Sequence, residues 1–148
     1  MYKDMKTIET NRSVEFACAA QTLRKAARLI TRRYEDGLRQ VNLTASQFSI
    51  LQALVLHSEL SFKIISSTLG LEQTTLSRLL KVLEKRELVT IEKSESDGRG
   101  RIISATTLGR QTFEEAELIW RPINEDCLSR LSKADWQGVK IALNKLSI

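Results

Sequence analysis

The sequence predicts a mainly α-helical fold carrying one small β-hairpin. Three observations lead there. Apolar residues recur at steps of three and four over long stretches, as they do in helices that bury one face. One short segment instead alternates apolar and polar residues on the way to a polar, glycine-containing tip. Six glycines and one proline among 148 residues are too few for a loop-rich or disordered chain. At this length, with 42% hydrophobic residues, one domain is expected, and a two-domain enzyme is not.

The first helix is expected from Ser13 to about Gln40, where Phe16, Ala20, Leu23, Ala27, Ile30, Tyr34 and Leu38 recur. At ~100° per residue these side chains share a stripe under about 90° wide, narrower than a face turned to a globular core. Such a stripe suits a helix–helix seam, with a second subunit as the natural partner. Thr44 and Gln47 form a capping box that starts a second helix, with Phe48, Leu51, Leu54 and Val55 inward and an end near His57 and Ser58. Ser61 caps a short third helix, Phe62 to Leu69, with Ile65 and Leu69 inward, and Gly70 ends it. After Leu71 and Glu72, the stretch Gln73 to Glu87 carries Leu76, Leu79, Leu80 and Leu83 on one face. Two helices joined by a short glycine turn make a helix-turn-helix candidate.

Val89 and Ile91 then alternate with Thr90 and Glu92, the tip runs from Ser94 to Gly100, and Ile102 and Ile103 return. That is the hairpin. Thr106 or Thr107 caps a fifth helix, expected to run to Trp120 and to be kinked or interrupted at Pro122. Ser132 and Asp135 open a last helix through Trp136, Val139, Leu143 and Leu146. The order short helix, glycine turn, helix, hairpin is that of a winged helix-turn-helix.

Composition narrows the chemistry. Lys and Arg number 23 against 18 Asp and Glu, a net charge of +5, which suits a phosphate partner only if the cations are suitably placed. Aromatic residues at 5% speak against single-strand base stacking. No apolar run approaches a membrane span, and the polar stretch Met1 to Arg12 does not read as a signal peptide, so a cytoplasmic protein with no membrane partner is expected. Cys18 and Cys127 lie far apart, without zinc or redox spacing, and His57 is the one histidine. No metal, cofactor or catalytic set is expected, and the chain does not read as an enzyme.

The candidate chemistry sits on the helix that starts at Gln73. Opposite its leucines lie Thr74, Ser77, Arg78, Lys81 and Lys85. Arg and Lys there offer phosphate contacts, and Thr and Ser are short enough to let the helix approach base edges in a major groove. A solvated outer face would carry similar charges; the helix order around it favours DNA. Arg99 and Arg101 stand beside the hairpin tip, where a wing can place arginine in a narrow minor groove. Asp97 would repel phosphate, so its roles are an ion pair with Arg99, a hydrogen bond that shapes the tip, or plain turn chemistry.

The ordered set Leu43-Thr44-x-x-Gln47-Phe48-x-x-Leu51, Leu69-Gly70-Leu71, Thr74-Thr75-Leu76-Ser77-Arg78-Leu79-x-x-x-Leu83-Glu84, Leu88-Val89, Asp97-x-Arg99-x-Arg101 and Thr106-x-x-Gly109-Arg110 resembles the MarR family of bacterial transcriptional regulators. The likeness runs from about Cys18 to the C-terminus. It implies a homodimer binding a near-palindromic double-stranded DNA operator, usually as a repressor released by a small-molecule effector or by thiol oxidation. It implies one domain over 1–148, with dimerisation helices at 13–41 and 107–148 and the winged-helix region at 44–106. It maps Gln73, Thr74, Thr75, Ser77, Arg78 and Lys81 onto the recognition helix, and Asp97, Arg99 and Arg101 onto the wing. The sequence departs from the family pattern in three places: Glu72 opens the recognition helix, Gly98 stands where the wing usually has its first Arg, and Ala105 precedes Thr106 in place of Leu.

Two features keep two readings each. Between Gln21 and Gln40, six basic residues face two acidic ones, against eight and six between Glu72 and Arg110. The basic first helix pairs with Glu114, Glu115, Glu117, Glu125 and Asp126 of the fifth, or it meets the DNA backbone. Cys18 lies opposite the apolar stripe near Lys25, Arg28 and Arg32. It is a packed helix residue, or a redox-active thiol that gates DNA binding. A winged helix used for protein–protein contact is the remaining rival, distinguished by binding that salt hardly weakens.

Overall fold

A computed structural model describes residues 18–95 and 100–147. The elements are α1 (Ala19–Leu38), a 3-10 turn (Arg39–Val41), α2 (Ala45–His57), β1 (Glu59–Ser61), α3 (Phe62–Leu69), α4 (Gln73–Lys85), β2 (Val89–Lys93), β3 (Arg101–Ala105), α5 (Thr107–Ser129) and α6 (Lys133–Leu146). The chain divides into two units, Met1–Arg33 and Tyr34–Ile148, with the boundary inside α1. In the first unit every described residue is exposed, including Leu23, Leu29 and Ile30. The expected start of the first helix, with Ser13 and Phe16, lies outside the described residues. Among the described residues no helix is long and apolar enough to cross a membrane.

In the second unit α2 is the central element, packed against α3, α4, α5 and the sheet. Phe48, Leu51 and Leu54 are buried as expected and Val55 is half-buried; Gln47, Ile50 and Ala53 are buried as well. Gln47 can be buried because its side-chain oxygen accepts from the Thr44 amide at 3.0 Å while Thr44 Oγ1 accepts from the Gln47 amide at 3.2 Å. Ile65, Leu76, Leu80, Leu83, Leu88, Val89 and Ile103 complete the core beneath the helix-turn-helix.

At the other end of α2, Phe48 stacks on Phe113 with centroids 5.4 Å apart and meets Trp120 at 5.1 Å. Tyr34 joins this cluster at 6.0 Å from Trp120 and donates to Asn124 Oδ1 at 2.8 Å. Burial, and then the nearby Cys127, push the Tyr34 phenol above its ordinary 10.0, so it stays a neutral donor.

Three details differ from the expectation. The sheet has three antiparallel strands in the order β1-β3-β2, not two: Leu60 pairs with Ile103, and Ile91 pairs with Ile103 from the other side. Three residues with one apolar side chain have no period to detect, so β1 exists because β3 offers it an edge. The recognition helix stops at Lys85 rather than Glu87, since Glu87 takes φ 58° and the Leu88 amide turns back to the Leu83 carbonyl at 3.0 Å. And Pro122 does not interrupt α5, which runs unbroken to Ser129. The carbonyl that Pro122 leaves free belongs to Leu118, which is exposed to water, while Trp120 and Asn124 on either side are tied to Phe48 and Tyr34.

The capping box of α6 forms as expected, with Asp135 accepting from the Ser132 amide at 2.9 Å and hydroxyl at 2.7 Å. These hydrogen bonds hold the Asp135 carboxyl below its ordinary 3.8. A depressed folded-state value means the cap stabilises the helix above the unfolded value and stops doing so as pH falls through the folded one. Protection of the first-turn amides of α6, taken relative to their intrinsic exchange rates, is therefore expected to fall below about pH 4. Asp135→Ala should show low protection there at every pH; a wild-type first turn whose protection is indifferent to acid contradicts the assignment.

Candidate nucleic-acid interface

The turn between α3 and α4 sets the pose of the recognition helix. Gly70 adopts φ 62° and ψ 31°, a left-handed conformation that a side chain disfavours. The Leu71 amide returns to the Ser66 carbonyl at 3.0 Å, and Ser66 Oγ donates to the Leu71 carbonyl at 2.7 Å. From there α4 leaves with Leu76, Leu80 and Leu83 buried and Leu79 half-buried. Gln73, Thr74, Thr75, Arg78 and Lys81 are exposed on its outer side, and Ser77 is half-buried. Glu72, the first departure from the family pattern, has the extended backbone of a cap, but its side chain accepts no amide of the helix.

Beyond α4 the helix is anchored through Thr106. Its hydroxyl donates to the Glu87 carbonyl at 2.6 Å and accepts from the Gly109 amide at 2.9 Å, while its own amide donates to the Leu88 carbonyl at 3.1 Å. One residue thus caps α5, closes the end of α4 and places the start of β2. The Thr106-x-x-Gly109 spacing has a second reason: a Cβ on Gly109 would fall against the Leu88 carbonyl, a backbone group.

The outer face of α4, the first turn of α3 and the base of β3 enclose an open groove of about 740 Å³. Gln73, Thr74, Ser77, Arg78 and Lys81 line one wall, Ser61, Phe62 and Lys63 another, and Gly100 and Arg101 the wing side. Four of these residues are cations drawn from three elements, and none of the described lining residues is acidic. A cleft with one sign of charge concentrates the field on an anionic partner.

The structure therefore brings together Gln73, Thr74, Ser77, Arg78, Lys81 and Arg101. Thr75 is exposed on α4 but does not line the groove. Arg101 begins β3, paired with Lys93, so it belongs to the base of the wing rather than its tip. Asp97 and Arg99, with Gly98, lie outside the described residues. Cys18 is an exposed free thiol in the first unit. Sequence reasoning missed Phe62 and Lys63. The available signal was angular, since Lys63 stands two residues before the buried Ile65 and so about 160° around the helix from it.

Two acidic residues of α5 have local partners: Glu117 meets Arg121 at 3.1 Å, and Asp126 meets Arg130, the residue that caps the helix, at 3.3 Å. Both are i, i+4 contacts, exposed apart from the half-buried Glu117, and worth about 0.3–0.5 kcal/mol each.

Known proteins share this fold. The profile of the MarR family matches residues 41–100. The organic hydroperoxide resistance transcriptional regulator of Bacillus subtilis is 34% identical over 121 residues, covering 82% of this chain and 81% of the relative. The HTH-type transcriptional regulator SarZ of Staphylococcus aureus is 30% identical over 107 residues, covering 72% of each chain. Among solved structures, the M. tuberculosis transcriptional regulator MosR in complex with DNA superposes with a TM-score of 0.77 at 31% identity, covering 88% of this chain and 93% of the other. With the winged helix-turn-helix and these relatives in agreement, the chain belongs to the MarR family of transcriptional regulators.

Proposed function

We propose that this protein is a homodimeric, ligand-responsive repressor that binds a near-palindromic DNA operator. Gln73, Thr74, Thr75, Ser77, Arg78 and Lys81 address the major groove, Arg99 and Arg101 supply the wing's cations, and Asp97 shapes the wing tip. The observation that carries this reading is the groove itself: four cations and three short hydroxyl side chains, Ser61, Thr74 and Ser77, with no acid in the described lining. In a chain with 18 acidic residues, that segregation matches the surface a phosphate backbone selects. The DNA complex of MosR supports the same partner.

Dimerisation is supported by α6, which has no buried residue and exposes Val139, Ile141, Leu143 and Leu146. A helix gains most of its stability from covering an apolar face, and a second copy supplies the cover. The regions 13–41 and 107–148 are assigned to that interface and 44–106 to DNA. Two recognition helices then enter successive major grooves about 34 Å apart. An effector acts by favouring a dimer in which this spacing no longer fits the operator. Such a regulator works in the cytoplasm, on the nucleoid when bound.

The test is selection of duplexes from a random pool, followed by affinity measurements across a salt series. A Kd on the order of 10 nM and a steep fall with salt are expected. Arg99→Ala should weaken all duplexes evenly. Weak binding that salt leaves unchanged overturns the DNA reading in favour of a protein–protein module.

A second reading has its own support. The B. subtilis relative is named for organic hydroperoxide resistance, and Cys18 is an exposed free thiol immediately before the basic first helix. Here oxidation of Cys18 gates DNA binding. Cys18→Ser should then stay on DNA under peroxide; release equal to wild type removes the idea.

A further inference from the structure

The half-buried Phe62 lines the groove and packs against the edge of the hydrophobic core. Its ring carries the guanidinium of Arg101, with Cζ 5.5 Å from the centroid. The sheet register brings the two together. Ser61 is paired with Ile102, so the next residue along each strand direction, Phe62 on one side and Arg101 on the other, meets at the end of the ladder. Alternation along β3 puts Arg101 on the same face as the buried Ile103, the face that looks toward the helices rather than outward. Across the other edge Arg101 stands opposite Lys93, a like-charge pair that by itself disfavours this placement.

We infer that Phe62 is a positioning residue for DNA binding: it holds the Arg101 guanidinium at the groove wall, facing the recognition helix, against repulsion from Lys93. The inference rests on the DNA reading proposed above and adds to it a specific device. Left in water, an arginine at a strand end would spread over many rotamers and lose that entropy on meeting a phosphate. The flat ring restricts the guanidinium before binding while leaving its N–H edges free for an anion. The first turn of α3 thereby becomes part of the interface and links the wing to the helix-turn-helix.

A double-mutant cycle on the full chain tests this, using a duplex that the wild-type protein selects from a random pool. Phe62→Leu should weaken binding about three- to fivefold per half-site, the range an exposed cation–π contact supports, and so about tenfold or more for the dimer. Arg101→Ala should weaken it further and lower the salt dependence, by about one released counterion per subunit. The double variant should bind no more weakly than Arg101→Ala alone, and Phe62→Tyr should bind like wild type. If Phe62→Leu binds like wild type, or costs the same factor again in the Arg101→Ala background, the positioning role is wrong. Thermal unfolding of each variant separates loss of fold, which would weaken binding in both backgrounds, from loss of positioning. Arg78→Ala measured in parallel distinguishes the two levels: weakening there with an unchanged Phe62→Leu sinks this inference alone. A wild-type chain without salt-dependent duplex binding sinks the DNA reading and the inference with it.

Discussion

Arg78→Ala is expected to weaken binding to the selected duplex by about 100-fold and to flatten the preference among bases at one position of each half-site. Arg78 is exposed in the middle of the outer face of α4, between Thr74 and Lys81, with the buried Leu76 and Leu80 fixing the helix beneath it. A bidentate arginine contact to a base is worth about 1–3 kcal/mol. In a dimer the contact is made twice, at sites far enough apart for their effects to add. Arg78→Lys discriminates between two roles. Lysine keeps the charge but lacks the planar fork, so it should retain the salt dependence and still lose the base preference. If Arg78→Lys preserves the preference, Arg78 touches phosphate only, and readout belongs to Gln73, Thr74 or Ser77.

Gly109→Ala is expected to destabilise the fold by about 3 kcal/mol, at the upper end of the usual cost of overpacking. For a chain of this size that corresponds to a fall in Tm of about 10 °C. The added methyl would meet the Leu88 carbonyl, whose oxygen already accepts the Thr106 amide at 3.1 Å. Backbone held by helix, strand and cap together has nowhere to move. Gly37→Ala is the comparison, because its methyl would press on Ile123 and Ile119, whose side chains can turn aside. It should cost clearly less. A Gly109→Ala protein that melts within about 2 °C of wild type rules out the close approach of α5 to Leu88.

The local features of the fold were legible because each rests on short-range chemistry. Thr44 with Gln47, Ser61, Gly70 and Ser132 with Asp135 all stop or start helices as their side chains dictate. The seven-residue tip between Lys93 and Arg101 has the length the sequence implies. Pro122 was misleading for a physical reason: the cost of a missing hydrogen bond is local and visible in sequence, whereas the packing of Trp120 and the Tyr34–Asn124 bond that offset it are long-range. β1 escaped for the same reason, since a three-residue strand owes its existence to its neighbour.

The interface divides the same way. One helical face is a matter of angle, so the sequence alone could assign Thr74, Ser77, Arg78 and Lys81 to one side of α4 and the leucines to the other. The groove is a matter of three elements meeting. Lys63, Phe62 and Arg101 lie far from α4 along the chain or on unrelated faces, and only the register of β1 on β3 places them opposite it. Periodicity within one helix is fixed by covalent geometry and is readable from residue order. Which cations share a wall depends on strand pairing and core packing, whose free energy is spread over the whole domain, so tertiary structure alone decided it.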